Sequence, residues 1–233
     1  MNHGIREAYE GLESFGMAIK PVQMGNTPEE YYRNFNAVLE NNPDALVIVP
    51  FFTETCIDLY RKLEGMEIPF VLLNSPINSV NYSSFIGQDY VQSGRTAAYL
   101  MDILTKEIRD ERKLLILNMD VQTENKTHVE EKEMGFLDYF KENHQSTKVE
   151  ILSLEDVFDT DLLNSKISQV DGLFITNSKT HIAAPVIRNH PSVKIIGYDM
   201  IPENIELLNE GAIDILLNQN PETSRVSWYI DYL

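Results

Sequence analysis

Amide, carboxylate, hydroxyl and aromatic side chains recur just after apolar runs that read as β-strands. These strand ends are Pro50-Phe51-Phe52-Thr53, Asn74-Ser75, Gln88-Asp89, Asn118-Met119-Asp120, Asn177-Ser178, Asp199 and Gln219. Such a set suits a polyol. Carboxylates and amides pair with vicinal hydroxyls, and aromatic faces cover the apolar side of a sugar ring. In open α/β sheets, ligands bind beyond the carboxyl ends of the strands. Asn, Asp and Ser also cap helices and form turns, so at any one position a local role competes. The set as a whole points to binding.

Other chemistry finds less support. The glycines form neither a dinucleotide-binding Gly-x-Gly-x-x-Gly nor a phosphate loop, and there is no Gly-x-Ser-x-Gly elbow. His3, His128, His144, His181 and His190 are scattered, with no i+4 His pair to hold a metal. The single Cys56 excludes an internal disulfide and sits at an apolar position near Ile57 and Tyr60, which suits packing. No cofactor is called for. Asn81-Tyr82-Ser83 and Asn125-Lys126-Thr127 match the glycosylation triplet, but no secretory signal precedes them.

Composition narrows the class further. The chain has 233 residues, 43 % hydrophobic and 24 % charged, with 19 Lys and Arg against 36 Asp and Glu and a net charge of −17. Those are globular values that exclude disorder. No apolar run is long enough to span a membrane. A chain this acidic has no basic stripe for a phosphate backbone, so DNA contact would belong to another segment.

The elements that carry these residues alternate between helix and strand. Ile5, Ala8, Leu12 and Phe15 share a helical face that Gly16 can end, and residues 17–23 read as a strand. Thr27-Pro28-Glu29-Glu30 reads as a helix start, with Thr27 as N-cap, Pro28 at N1 and Glu30 in a capping box. Its helix carries Tyr31, Phe35, Val38 and Leu39. Strands are expected at 45–50, 69–73, 84–87, 113–118, 149–152, 172–176, 194–197 and 213–217. Helices are expected at 53–64, 91–106 and up to 143, with a last one from Pro221. Runs such as Leu114-Leu115-Ile116-Leu117 suit a parallel sheet covered on both faces. The pattern predicts an α/β fold: two Rossmann-like, doubly wound lobes with parallel sheets around a ligand cleft.

The charged stretch 107–113 divides two similar halves. The expected lobes are 1–110 and 111–217, with 218–233 as a crossover and helix returning to the first lobe. The second half begins with a strand and the first with a helix, so a first strand is expected upstream of Met1.

Several segments, in order, resemble the lactose-repressor-type (LacI family) regulators. Ile86 through Leu100 resembles that family's Asp-x-x-x-x-Gly-Arg-x-Ala-Ala-x-x-Leu segment, and Gly197-Tyr198-Asp199 its Gly-Tyr/Phe-Asp strand end. Gly4-Ile5-Arg6-Glu7-Ala8 resembles its first helix, Phe174-Ile175-Thr176-Asn177-Ser178 a ligand-facing strand end, and Leu216-Leu217-Asn218-Gln219 its later crossover. The resemblance implies a periplasmic-binding-protein-like type I fold that binds a sugar or related metabolite. It makes Asn177, Asp199 and Gln219 the leading ligand residues, with Asp89 from the first lobe. Phe51 and Phe52 are candidates for stacking, and Ser75 and Asp120 complete the set. Where the family often has Arg three residues before a Gly-Phe pair, this chain has Lys132, which cannot make a planar bidentate contact.

The leading expectation is therefore a cytoplasmic, homodimeric effector-binding domain. Its DNA-binding headpiece would be a separate segment, absent here, and effector closure of the lobes would change headpiece spacing. Apolar surface for the dimer is expected near residues 90–101 and on the last helix, with Trp228 and Tyr229. The alternative is a secreted solute-binding protein or receptor sensor domain of the same fold. An enzyme would use Asp89, Asp120 and Asp199 as acid/base or metal carboxylates, but no nucleophile–base pair supports one.

Overall fold

The computed structural model describes residues 12–108, 111–119, 127–154 and 159–218. The chain falls into two compact units that divide between Gly87 and Gln88.

In the first unit, a 3-10 turn at Glu13–Phe15 is followed by α1 (Pro28–Leu39), β1 (Leu46–Ile48), α2 (Ile57–Gly65), β2 (Phe70–Leu73) and β3 (Ser84–Ile86). Gly16 follows the turn with φ +79, a conformation that favours glycine. Thr27 caps α1 by accepting from the Glu30 amide at 3.2 Å. The Glu30 carboxylate reaches back to the Asn26 amide at 3.1 Å, one residue earlier than a standard capping box. Tyr31, Phe35 and Leu39 are buried along one face of α1, against Leu59, Tyr60 and Leu63 of α2 and Phe70 and Leu72 of β2. The buried Tyr31 and Tyr60 hydroxyls satisfy each other at 2.8 Å. Cys56 is fully buried in this core. The sheet is parallel, in the order β1-β2-β3.

Residues 17–23, expected as a strand, form none. Met17 and Val22 are exposed at 55 % and 44 %. A strand exists only as part of a ladder, and among the described residues none pairs with this segment.

The second unit contains α3 (Tyr90–Thr105), β4 (Lys113–Met119), α4 (Thr127–Asn143), β5 (Lys148–Leu154), α5 (Thr160–Ile167) and β6 (Gly172–Ile175). A 3-10 stretch at Ser178–Ala183, α6 (Ala184–Ile187), β7 (Lys194–Tyr198), α7 (Pro202–Asn209) and β8 (Ile215–Leu217) complete it. Its parallel sheet runs β5-β4-β6-β7-β8. Alternate residues of β4 and β6 feed two cores. Leu115, Leu117, Leu173 and Ile175 meet α5, α6 and α7, while Leu114, Ile116 and Phe174 meet α3 and α4. Both faces are covered, which is why these strands are apolar without alternation.

The expected lobe boundary lay at 110/111, while the compact units divide at 87/88, with α3 in the second. There α3 meets α4 at a close helix crossing. A Cβ on Gly94 of α3 would lie 2.0 Å from the Lys132 carbonyl oxygen, and one on Gly135 of α4 would lie 2.0 Å from that of Val91. Each glycine receives the backbone of the other helix. The ion pair of Arg112 with Asp102 ties the end of α3 to the start of β4, and Asp102 also accepts from Tyr139 at 3.2 Å and meets His144 at 3.0 Å. The expected crossover helix from Pro221, Trp228, Tyr229 and the first helix up to residue 11 lie outside the described residues.

Candidate functional site

The second unit's chain order reverses between β4 and β6, since β5 lies on one side of β4 and β6 to β8 on the other. The carboxyl ends of β4 and β6 are therefore the topological switch point, where such sheets bind ligands. A buried polar layer joins those ends. The Thr176 hydroxyl donates to Asn118 Oδ1 at 2.8 Å, and Asn118 Nδ2 donates to the Glu133 carboxylate and to Ser153 Oγ.

Asn177 follows directly. Its Nδ2 donates to the Met119 carbonyl at 2.6 Å, and its Oδ1 accepts from the Lys179 amide at 3.1 Å. The side chain thus clips β6 to β4 and caps the 3-10 stretch. An amide has two N–H groups and two lone pairs, so one of each is left for a ligand.

Lys132 reaches the same layer from α4 and is 1 % exposed. Its ammonium donates to the Thr176 carbonyl at 2.8 Å and lies 3.8 Å from the centre of the Tyr198 ring and 5.4 Å from that of Tyr90. Ring faces and one carbonyl replace its hydration shell. Burial holds this ammonium down to about 8, against an opposing pull from Asp199. Burial pushes the Tyr198 phenol up to about 12, opposed by its hydrogen bond with Ser93 and reinforced by Asp199 and Tyr90. Tyr90 is likewise pushed up to about 12 by burial, then by Glu131 and Asp199. Burial and the Asp89 charge raise the Glu131 carboxyl. The result is a buried cation roofed by two neutral phenols, with carboxylates around it. In this conformation Lys132 is closed to direct ligand contact.

Asp199 stands at the end of β7 with φ +65, a left-handed conformation that Asp tolerates better than most residues. Its amide donates to the Leu217 carbonyl at 2.8 Å. Its carboxylate is near enough to act on Lys132, Tyr90 and Tyr198. Asp89 is exposed and caps α3, accepting from the Gln92 amide at 2.8 Å. Gln88, Asp89, Gln92, Ser93, Thr96, Leu217 and Asn218 line a shallow pocket of about 300 Å³.

Phe51, Phe52 and Ser75 belong to the first unit, beyond the ends of β1 and β2. Phe51 is 42 % exposed. Phe52 packs edge-on against Tyr31, 6.0 Å between ring centres, and so joins the core. Ser75 is buried. Asp120 and Gln219 lie outside the described residues.

Asn118 was in the strand-end set, but Tyr90, Ser93, Thr176, Tyr198 and Asn204 were not singled out as site residues by sequence reasoning. Tyr90 and Tyr198 adjoin Asp89 and Asp199, so an aromatic next to each candidate carboxylate was the available signal. Among the described residues, no group of three His, Cys, Asp or Glu side chains is placed to hold a metal. None of the described helices is long and apolar enough to cross a membrane.

Comparison with known proteins agrees with this architecture. The chain superimposes on a candidate LacI transcriptional regulator from Bacteroides fragilis with a TM-score of 0.85 and 24 % identity, covering 97 % of this chain and 81 % of that one. GanP, a glucose-galactose binding protein from Geobacillus stearothermophilus, matches with a TM-score of 0.78 and 15 % identity over 97 % of this chain and 82 % of its own. A carbohydrate transporter solute binding protein from Agrobacterium radiobacter, in complex with D-arabinose, matches with a TM-score of 0.74 and 20 % identity over 97 % and 79 %. These neighbours are binding proteins and a regulator rather than enzymes. No curated protein matches the chain. The model of the periplasmic binding protein domain matches residues 1–225, and the chain belongs to that family.

Proposed function

We propose that this chain is the sugar-binding effector domain of a transcription regulator. The observation that carries the binding reading is the constellation at the switch point. Asn177 adjoins a polar layer that is satisfied and buried, Asp199 ends the next strand, and the exposed Asp89 caps α3. Carboxylate and amide suit sugar hydroxyls. The structural neighbours that bind glucose, galactose or D-arabinose support a neutral sugar as the ligand class.

The regulator reading rests on the ordered resemblance of the motifs to LacI-type regulators. The higher TM-score and identity of the Bacteroides fragilis neighbour support it. In this reading the protein acts in the cytoplasm as a homodimer and touches DNA through a separate headpiece. Sugar binding shifts the population between two conformations of unequal operator affinity. The sugar-binding neighbours support a second reading, a solute-binding protein for a transporter.

A thermal-shift series with D-arabinose, D-glucose and D-galactose tests the binding step. A sugar at about 100 times its Kd adds about 2.7 kcal/mol, a clear rise in Tm. Asp199→Ala is expected to lower affinity for that sugar by at least about tenfold with an unchanged circular dichroism spectrum, as for a lost charge-assisted hydrogen bond. Unchanged affinity would remove Asp199 from the site. Sugar-dependent release of the full-length protein from its operator separates the regulator from the transporter reading.

A further inference from the structure

We infer that Asn204, on α7, is the positioning residue that holds the two candidate ligand carriers, Asn177 and Asp199, in register. The inference rests on the sugar-binding reading of those two residues.

Asn204 is 0 % exposed and cannot touch a ligand. Its Nδ2 donates to the carbonyls of Ser178, Tyr198 and Asp199, at 3.0, 2.9 and 3.1 Å. Its Oδ1 accepts from the His181 amide at 2.9 Å. One side chain thereby ties the segment leaving β6, just after Asn177, to the segment leaving β7, at Asp199. The first is a 3-10 stretch, and the second has one backbone tie beyond β7, from the Asp199 amide to the Leu217 carbonyl. Asp199 is also held at φ +65, and Asn204 bonds the carbonyls on both sides of that residue's φ/ψ pair. The donor and acceptor ends of an amide are both needed. A carboxylate of the same shape keeps the bond from His181 but turns an acceptor toward three carbonyl oxygens.

Asn204→Asp is the test, read in the native and Asp199→Ala backgrounds. Affinity for whichever of D-arabinose, D-glucose or D-galactose binds the native protein is measured by titration calorimetry. The expected loss is about tenfold or more in the native background and smaller by about threefold or more on top of Asp199→Ala, where only Asn177 is left to misplace. A purely structural role would give the same loss in both backgrounds, and that result overturns the inference. Hydrogen exchange of the sugar-free protein provides a second readout. The amides of Lys179 and Asp199 are expected to exchange faster in Asn204→Asp while those of β6 do not change. Unchanged exchange at both amides overturns the clamp. Should none of the three sugars bind the native protein, the sugar reading fails, and the exchange result alone decides whether Asn204 holds the two segments.

Discussion

Replacing Lys132 by Met tests the most unusual feature of the site, a buried ammonium under two tyrosine rings. The ordinary lysine value is 10.5 and burial lowers this one to about 8. A group whose folded pKa lies below its unfolded one binds fewer protons in the fold, so its contribution to stability rises with pH between the two values. The whole gap corresponds to about 3 kcal/mol. Between pH 7 and pH 9.5 about 2 kcal/mol of it is recovered. Tyr90 and Tyr198 have raised values and lose stability only where phenols in the unfolded chain ionise, above about pH 10, so the window stays clear of them. Methionine matches the stem of lysine and has no charge. It leaves the Thr176 carbonyl without its ammonium partner at every pH, so the pH slope isolates the charge. The assay is urea unfolding of both proteins at pH 7, 8, 9 and 9.5. The expected result is that the native protein gains about 2 kcal/mol on the variant across that range. Parallel curves would mean that Lys132 titrates as a solvated lysine, and the argument for its burial beneath Tyr198 would fall.

Other substitutions probe the frame. Asp102→Ala removes the partner of Arg112, which is 4 % exposed, and is expected to cost about 3 kcal/mol in chemical unfolding. Burial alone would raise the Asp102 carboxyl, but Arg112 and His144 outweigh it and hold it below the usual range. The contribution is therefore present above the unfolded carboxyl value and lost as pH falls through the folded one, so the gap between native and variant should close in acid; a gap independent of pH would contradict the ion pair. Gly135→Ala drives a methyl to 2.0 Å from the Val91 carbonyl and is expected to destabilise the second unit by about 3 kcal/mol, against a stabilisation of up to about 1 kcal/mol at an open helical glycine. An unchanged Tm would mean that α3 and α4 do not cross there.

The elements were legible in the sequence wherever their signal is local. The apolar runs of β4 and β6, the Thr27-Pro28 helix start and the terminating Gly16 all depend on neighbours a few residues away. The strand-end position of Asp199, Asn177 and Asp89 was legible for the same reason. Whether an amide or carboxylate there caps a helix was not. Asp89 and Asn177 do cap, and only the structure shows what else each side chain holds. Lys132 was legible as a departure from Arg, but its burial comes from Tyr90, Tyr198 and Thr176, which no local pattern joins to it. Residues 17–23 read as a strand from their apolar content, yet a strand needs a partner, and pairing is decided elsewhere in the chain. The packing of α3 on α4 likewise follows from two glycines on different helices that let backbones meet. By itself the sequence determined periodicity, caps and the list of polar side chains at strand ends. The tertiary structure decided which of those side chains are consumed by the fold, because hydrogen-bond satisfaction and charge burial are set by residues distant in sequence.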